Sequence, residues 1–92
     1  MSSRMKSELM VFYSSNAGQQ KSAAKLIEFV TKRFPNQISL MMLDFDEVTV
    51  KLVAGHFGIS TTPSVLLSGK CISQGKFPQE NELVAAINSA GI

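Results

Sequence analysis

The 92-residue chain has one cysteine, one histidine, one tyrosine and no tryptophan. A lone thiol, Cys71, excludes an intramolecular disulfide, a two-cysteine redox couple and a cysteine-based zinc cluster. With His56 the single imidazole, a tetrahedral metal site would need unusual ligands. Three prolines and six glycines are too few for a collagen-like or low-complexity chain. Long apolar runs are missing as well. The longest, Leu9–Tyr13 and Leu83–Ile87, hold five residues each, whereas a membrane-spanning helix needs about 20. Met1–Glu8 is polar, and the apolar run behind it falls short of the ~7–15 residues of a secretory signal core. The net charge is only +2. Lys21, Lys25, Lys32 and Arg33 are interrupted by Glu28 and apolar residues, as on a solvated helix face rather than a nucleic-acid surface. The expectation is a soluble cytoplasmic protein that contacts neither membrane nor nucleic acid.

What is present is core material: 45% of the residues are hydrophobic and 17% charged. Chains of this size bury only about 60–65% of their unfolded surface, so one core must use nearly all of it. Residues 1–7 are expected to form a flexible tail and residues 8–92 a single domain. Leu9–Tyr13 suits a strand buried on both faces. Ala23, Leu26, Ile27, Val30 and Phe34 then recur at helical spacing opposite Lys21, Lys25, Glu28 and Lys32. Pro35 stops that helix, because it disfavours helical geometry in the residue before it. Ile38–Phe45 is the second strand, and the βαβ unit should be parallel with a right-handed crossover.

Asp44, Asp46 and Glu47 offer acids for the start of a second helix. Val48, Leu52, Val53 and Phe57 are predicted to be its buried face, and Gly58 its left-handed cap. Ser64–Leu67 and Cys71–Gln74 read as an antiparallel hairpin around Ser68-Gly69-Lys70. Phe77-Pro78 opens a last helix with Leu83, Val84 and Ile87 inward and Gly91 at its end. Met10, Met41 and Met42 are expected to fill core, while Met1 and Met5 fall in the tail. The order βαβ, α, ββα predicts an α/β sandwich: a mixed four-stranded sheet carrying three helices on its two faces.

The segment Phe57-Gly58-Ile59-Ser60-Thr61-Thr62-Pro63-Ser64-Val65-Leu66-Leu67, with Gly69, Gly75, Pro78, Glu80, Leu83 and Ile87 behind it, resembles the thioredoxin-like superfamily. The likeness runs from about Glu8 to Ala90, and its length is most similar to small glutaredoxin-like or mini-thioredoxin proteins. The resemblance implies a βαβαββα sandwich and a cis peptide bond before Pro63. It also implies a Cys-x-x-Cys motif at the start of the first helix, where this chain has Ala17-Gly18-Gln19-Gln20. The attacking cysteine is replaced by Ala17 and the resolving one by Gln20; the family's buried acid is replaced by Val11. Thiol–disulfide exchange needs a thiolate, which neither alanine nor a glutamine amide supplies.

Ser14, Ser15, Asn16, Ala17 and Gly18 precede the first helix. Ser or Asn there would cap it, and the same backbone N–H groups could approach an anion. By the resemblance, Thr62 before Pro63 lends its N–H and C=O to an extended peptide or to glutathione. The leading expectation is therefore a redox-inactive binding or adaptor module. Its groove between Ser14–Gly18 and Thr62-Pro63 would take a peptide, a protein partner or a small thiol, with no obligatory cofactor. The alternative is a divergent glutaredoxin-like oxidoreductase or glutathione-dependent enzyme in which Ser14 or Ser15 polarises a bound thiol. A third reading is a structural subunit docking through a sheet edge or a helix. Cys71 is expected to be a small strand hydrophobe, and His56 a helix-end residue. Oligomeric state is left open.

Overall fold

A computed structural model describes residues 7–90 of the chain. The elements run β1 (Ser7–Tyr13), α1 (Gln20–Arg33), β2 (Ile38–Asp44), α2 (Val48–His56), β3 (Ser64–Leu67), β4 (Lys70–Gln74) and α3 (Glu80–Ser89). The sheet order is β2-β1-β3-β4. β1 pairs with β2 in parallel and with β3 antiparallel, and β3 pairs antiparallel with β4. This is the predicted mixed sheet with three helices. Ser7, expected to lie in the N-terminal tail, belongs to β1. Residues 1–6, Met1 and Met5 among them, lie outside the described residues, as does the predicted terminator Gly91.

Strand alternation divides the core. Leu9, Val11, Val65 and Leu67 face α1 and α3, packing with Ala23, Leu26, Val30, Leu83 and Ile87. Phe12 and Leu66 face the other way, against Ala54 of α2 and Ile59 behind it. β1 is therefore apolar at nearly every position because helices cover both its faces. Helix α1 keeps the predicted stripe inward and ends at Arg33, two residues before Pro35. The β3–β4 turn is tighter than expected, since β4 begins at Lys70. Ser68 and Gly69 both have positive φ, +52° and +81°, as a two-residue primed hairpin turn requires.

Helix α2 overturns the prediction of its inner face. Val50 and Ala54 point inward, while Val48 and Leu52 are each 72% exposed and Val53 and Phe57 are also exposed. Its five apolar residues, Val48, Val50, Leu52, Val53 and Ala54, are spread around the helix axis, so their spacing could not show which side faces the sheet. Its ending was legible. Gly58 has φ +76°, and the Ile59 and Gly58 N–H groups donate to the Ala54 and Gly55 carbonyls at 2.8 and 3.1 Å, a Schellman cap.

Helix α3 begins two residues after Pro78, with Gln79 as its cap. The Glu82 carboxylate accepts the Gln79 N–H at 2.8 Å, which satisfies a donor at the helix entry. Met10 packs against the Phe12 cluster as expected. Met41 and Met42 do not fill core; both are exposed, because β2 is an edge strand with no described element beyond it.

Truncating a residue of the inner face should cost far more than truncating the outer face of α2. Leu83→Ala, at a side chain 1% exposed, should lower unfolding free energy by about 2–5 kcal/mol in urea titration. Leu52→Ala should change it by no more than about 0.5 kcal/mol.

Candidate functional site

Register brings the candidate residues together. Phe12 pairs with Ser64 antiparallel and Tyr13 with Asp44 in parallel. Two residues beyond Phe12 is Ser14, and two before Ser64 is Thr62. The end of β1, the end of β2 and the start of β3 thus share one end of the sheet. Side chains of the first two segments meet there, and Gln19 reaches the Thr62 carbonyl of the third.

Gln19, which sequence reasoning passed over, joins the two halves of the predicted groove. Its Oε1 accepts the Ser14 N–H at 2.8 Å, and its Nε2 donates to the Thr62 carbonyl at 3.4 Å. The Gln19 N–H also donates to the Ser14 carbonyl at 3.1 Å. A glutamine is needed for this reach, since one amide must accept and donate at once. The Thr62–Pro63 peptide is cis. Pro63 is buried, and its carbonyl accepts the Gly75 N–H at 2.8 Å. The Thr62 N–H donates to no group among the described residues.

The Ser14–Gly18 loop does not cap α1. Gln19 occupies the cap position, and no side chain there accepts a helix N–H. The loop folds instead onto two carboxylates. Ser14 Oγ lies 3.0 and 3.1 Å from the Asp46 oxygens, Ser15 Oγ donates to Asp44 Oδ2 at 2.8 Å, and the Asn16 N–H donates to Asp46 Oδ2 at 2.8 Å. Ser14 Oγ in turn accepts the Ala17 N–H at 3.2 Å. Asp44 Oδ1 accepts the Asp46 N–H at 3.0 Å. Gly18 closes the loop with φ +71°, a conformation open to glycine at low cost. Ala17 and Gly18 are exposed, Gln20 is the first helical residue, and Ser14 is buried.

These contacts correct two expectations. Asp44 and Asp46 do not start α2, which has no acid in its first turn and no side-chain cap from Glu47. They hold the loop after β1 across more than 28 residues of sequence, a pairing visible only once the parallel register is known. The hydroxyl protons of Ser14 and Ser15 are directed at carboxylates, and each serine has only one to give. The Asn16 N–H holds the Asp46 carboxyl below the ordinary carboxylate range. Burial opposes this, and the Ser14 and Ser15 hydroxyls and nearby Lys51 reinforce it. Asp46 is thus itself an anion beside the backbone N–H groups that were expected to approach one.

Cys71 lies elsewhere, and it is exposed rather than packed. It pairs with Leu66, next to a register shift at Val65/Leu66, while Ile72 and Ser73 take the inward positions. β4 is an outer strand, so no described element beyond it covers the thiol. A separate depression of about 700 Å³ between β4 and α3 is lined by Cys71, Lys70, Ile72, Glu82 and Ala86 among others. It touches neither the Ser14–Gly18 loop nor Pro63. His56 is exposed at the end of α2, edge-on to Phe57 with ring centroids 5.5 Å apart. Among the described residues no cluster of His, Cys, Asp and Glu could hold a metal ion, and no helix is long and apolar enough to cross a membrane.

The architecture is that of the thioredoxin-like fold. A solved structure of a malarial protein superposes with a TM-score of 0.75 at 16% identity, covering 96% of this chain and 100% of that one. Thioredoxin-2, a component of the malaria parasite protein secretion machinery, gives 0.75 at 16% identity, covering 97% and 87%. A selenoprotein W-related protein from Vibrio cholerae gives 0.68 at 16% identity, covering 94% and 98%. No protein-family model and no curated protein matches the chain. Identities this low establish the fold and leave activity to be argued from the site.

Replacing Asp46 should change the response to acid. Its lowered native pKa means that it stabilises the fold above the unfolded value of about 3.9 and that this contribution fades as pH falls through the native pKa. Asp46→Asn should therefore lower the melting temperature at neutral pH and flatten its decline below about pH 4 relative to the parent. Equal acid slopes for the two proteins would contradict the role given to Asp46.

Proposed function

We propose that the chain is a binding module of thioredoxin-like fold that receives an extended polypeptide segment beside Thr62-Pro63 and performs no thiol–disulfide exchange. The observation that carries this reading is the Thr62 N–H. It has no partner among the described residues, although the neighbouring loop groups are linked through Gln19 and the aspartates. An extended segment can accept that N–H bond from its own carbonyl, in the manner of strand addition. The Thr62 carbonyl already accepts from Gln19, so a ligand gains its second backbone bond only by displacing that amide.

Charge supports a polypeptide over a small thiol. Asp44 and Asp46 sit beside the groove and take the loop's hydroxyl and N–H donors. A thiolate or the carboxylates of glutathione would meet the like charge of those two aspartates. A segment carrying lysine or arginine would meet complementary charge. Ala17 and Gln20, at the positions of the missing thiols, bring no nucleophile to the loop. The alternative, with Ser14 or Ser15 polarising a bound thiol, would require each hydroxyl to leave its carboxylate first.

The test is binding of a short valine- and lysine-containing peptide, with an aspartate counterpart and glutathione as controls. Amide shifts should cluster at residues 14–20 and 60–64 for the basic peptide, and Thr62→Arg should weaken binding at least about tenfold by filling the groove. Shifts with glutathione alone would replace this reading with the small-thiol one. Reduction of a protein disulfide above the background of dithiothreitol, abolished by Cys71→Ser, would overturn the redox-inactive assignment.

A further inference from the structure

The two edges of the sheet are built differently. β4 has five residues, starts at Lys70 and carries the register shift beside Cys71. Short length, lysine and irregular pairing are devices that keep an edge strand from recruiting another chain. β2 has none of them. It runs seven residues, Ile38-Ser39-Leu40-Met41-Met42-Leu43-Asp44, with regular pairing to β1 along its whole length and no charge before Asp44. Its outer side pairs with no strand among the described residues. In such a strand, alternate residues turn their N–H and C=O groups away from the sheet.

The side chains fit the same purpose. Ile38 and Leu40 pack on the α1 side and Leu43 on the α2 side. By alternation Met42 lies on the first face and Met41 on the second. Both are exposed, so the edge offers an unbranched apolar side chain above and below its open backbone. Methionine suits an interface that must adapt on pairing.

For a second copy of this chain, charge selects the orientation. Lys32 and Arg33 end α1, just ahead of the N-terminal end of β2. Asp44, Asp46 and Glu47 stand at its C-terminal end. An antiparallel neighbour of the same sequence sets each basic end against the partner's acidic end, twice per pair. A parallel neighbour sets like against like. We propose that two copies of this chain associate through antiparallel pairing of their β2 edges about a two-fold axis near Met41, forming one continuous eight-stranded sheet. The contact is isologous, so it closes at a dimer and leaves no free β2 edge to propagate fibres. The two grooves beside Thr62 lie off this edge, on the far side of β1; Asp44 and Asp46 stand near both, and Met41 belongs to the edge alone, so a change at Met41 separates the two readings.

Sedimentation from on the order of 1 µM to 1 mM should show the mass rising from 10.0 kDa towards twice that value. Amide shifts on dilution should centre on residues 38–44. Met41→Lys opposes two like charges across the axis and should keep the chain monomeric throughout, with unchanged circular dichroism. Arg33→Glu should weaken association several-fold, and adding Glu47→Arg should recover it. A chain that remains at 10.0 kDa at the highest concentration would overturn the proposal. So would dilution shifts confined to residues 48–57 or 70–74, or a Met41→Lys protein that dimerises as the parent does.

Discussion

Strand β1 is the constraint on which the molecule depends, because it alone is paired on both sides with strands of opposite sense. Its parallel partner β2 and antiparallel partner β3 are held in registers that place Asp44 beside Tyr13 and Ser64 beside Phe12. Those registers follow from burial on both faces. Leu9 and Val11 serve the α1–α3 side and Phe12 the α2 side. A slip of one residue would exchange the two sets and strand large side chains against the wrong helices. The core therefore determines which loop ends meet. The candidate site is a consequence of that packing.

The site then shows how the N–H groups of a loop can be taken up by anions of the same chain. A loop at the end of a strand and before a helix presents several N–H groups, which ordinarily favour an anion. Here the anions come from the chain itself. Asp46 takes the Asn16 N–H and lies within reach of two serine hydroxyls, and Asp44 takes the Ser15 hydroxyl. The loop is tied to β2, Gln19 ties it to Thr62, and the whole region becomes a fixed acidic rim.

Much of the fold was legible because single residues forced it. Pro35 ended α1, Gly58 required a left-handed cap, and Gly69 marked the hairpin between β3 and β4. The spacing Ala23, Leu26, Val30 had one reading only. Helix α2 was not legible in the same way. Val48, Val50, Leu52, Val53 and Ala54 satisfy several inward faces, and the choice of Val50 and Ala54 is made by Phe12, Leu66 and Leu43 on the opposing sheet. Cys71 and the paired methionines were misplaced for a related reason. Sequence gives a strand's pattern, but a strand's rank in the sheet decides whether that pattern is covered. The residues Ser14 to Gly18 were singled out by their place before the first helix, and Thr62-Pro63 by position against the family pattern. Gln19, Asp44 and Asp46 were not, since their role lies in bonds between segments remote in sequence.

The edge position that exposed the methionines also gives β2 its significance. A central strand may be as apolar as β1 because its backbone is already paired; an edge strand of the same character leaves both backbone and side chains unsatisfied by the monomer. β4 shows that this chain can protect an edge, using Lys70, short length and a shift of register within one hairpin. The absence of those features from β2 is then a difference between two edges of one molecule under the same solvent. Hydrophobic burial alone would accept any apolar neighbour there. The basic end at Lys32-Arg33 and the acidic end at Asp44–Glu47 narrow the choice, because only an antiparallel copy satisfies both ends at once.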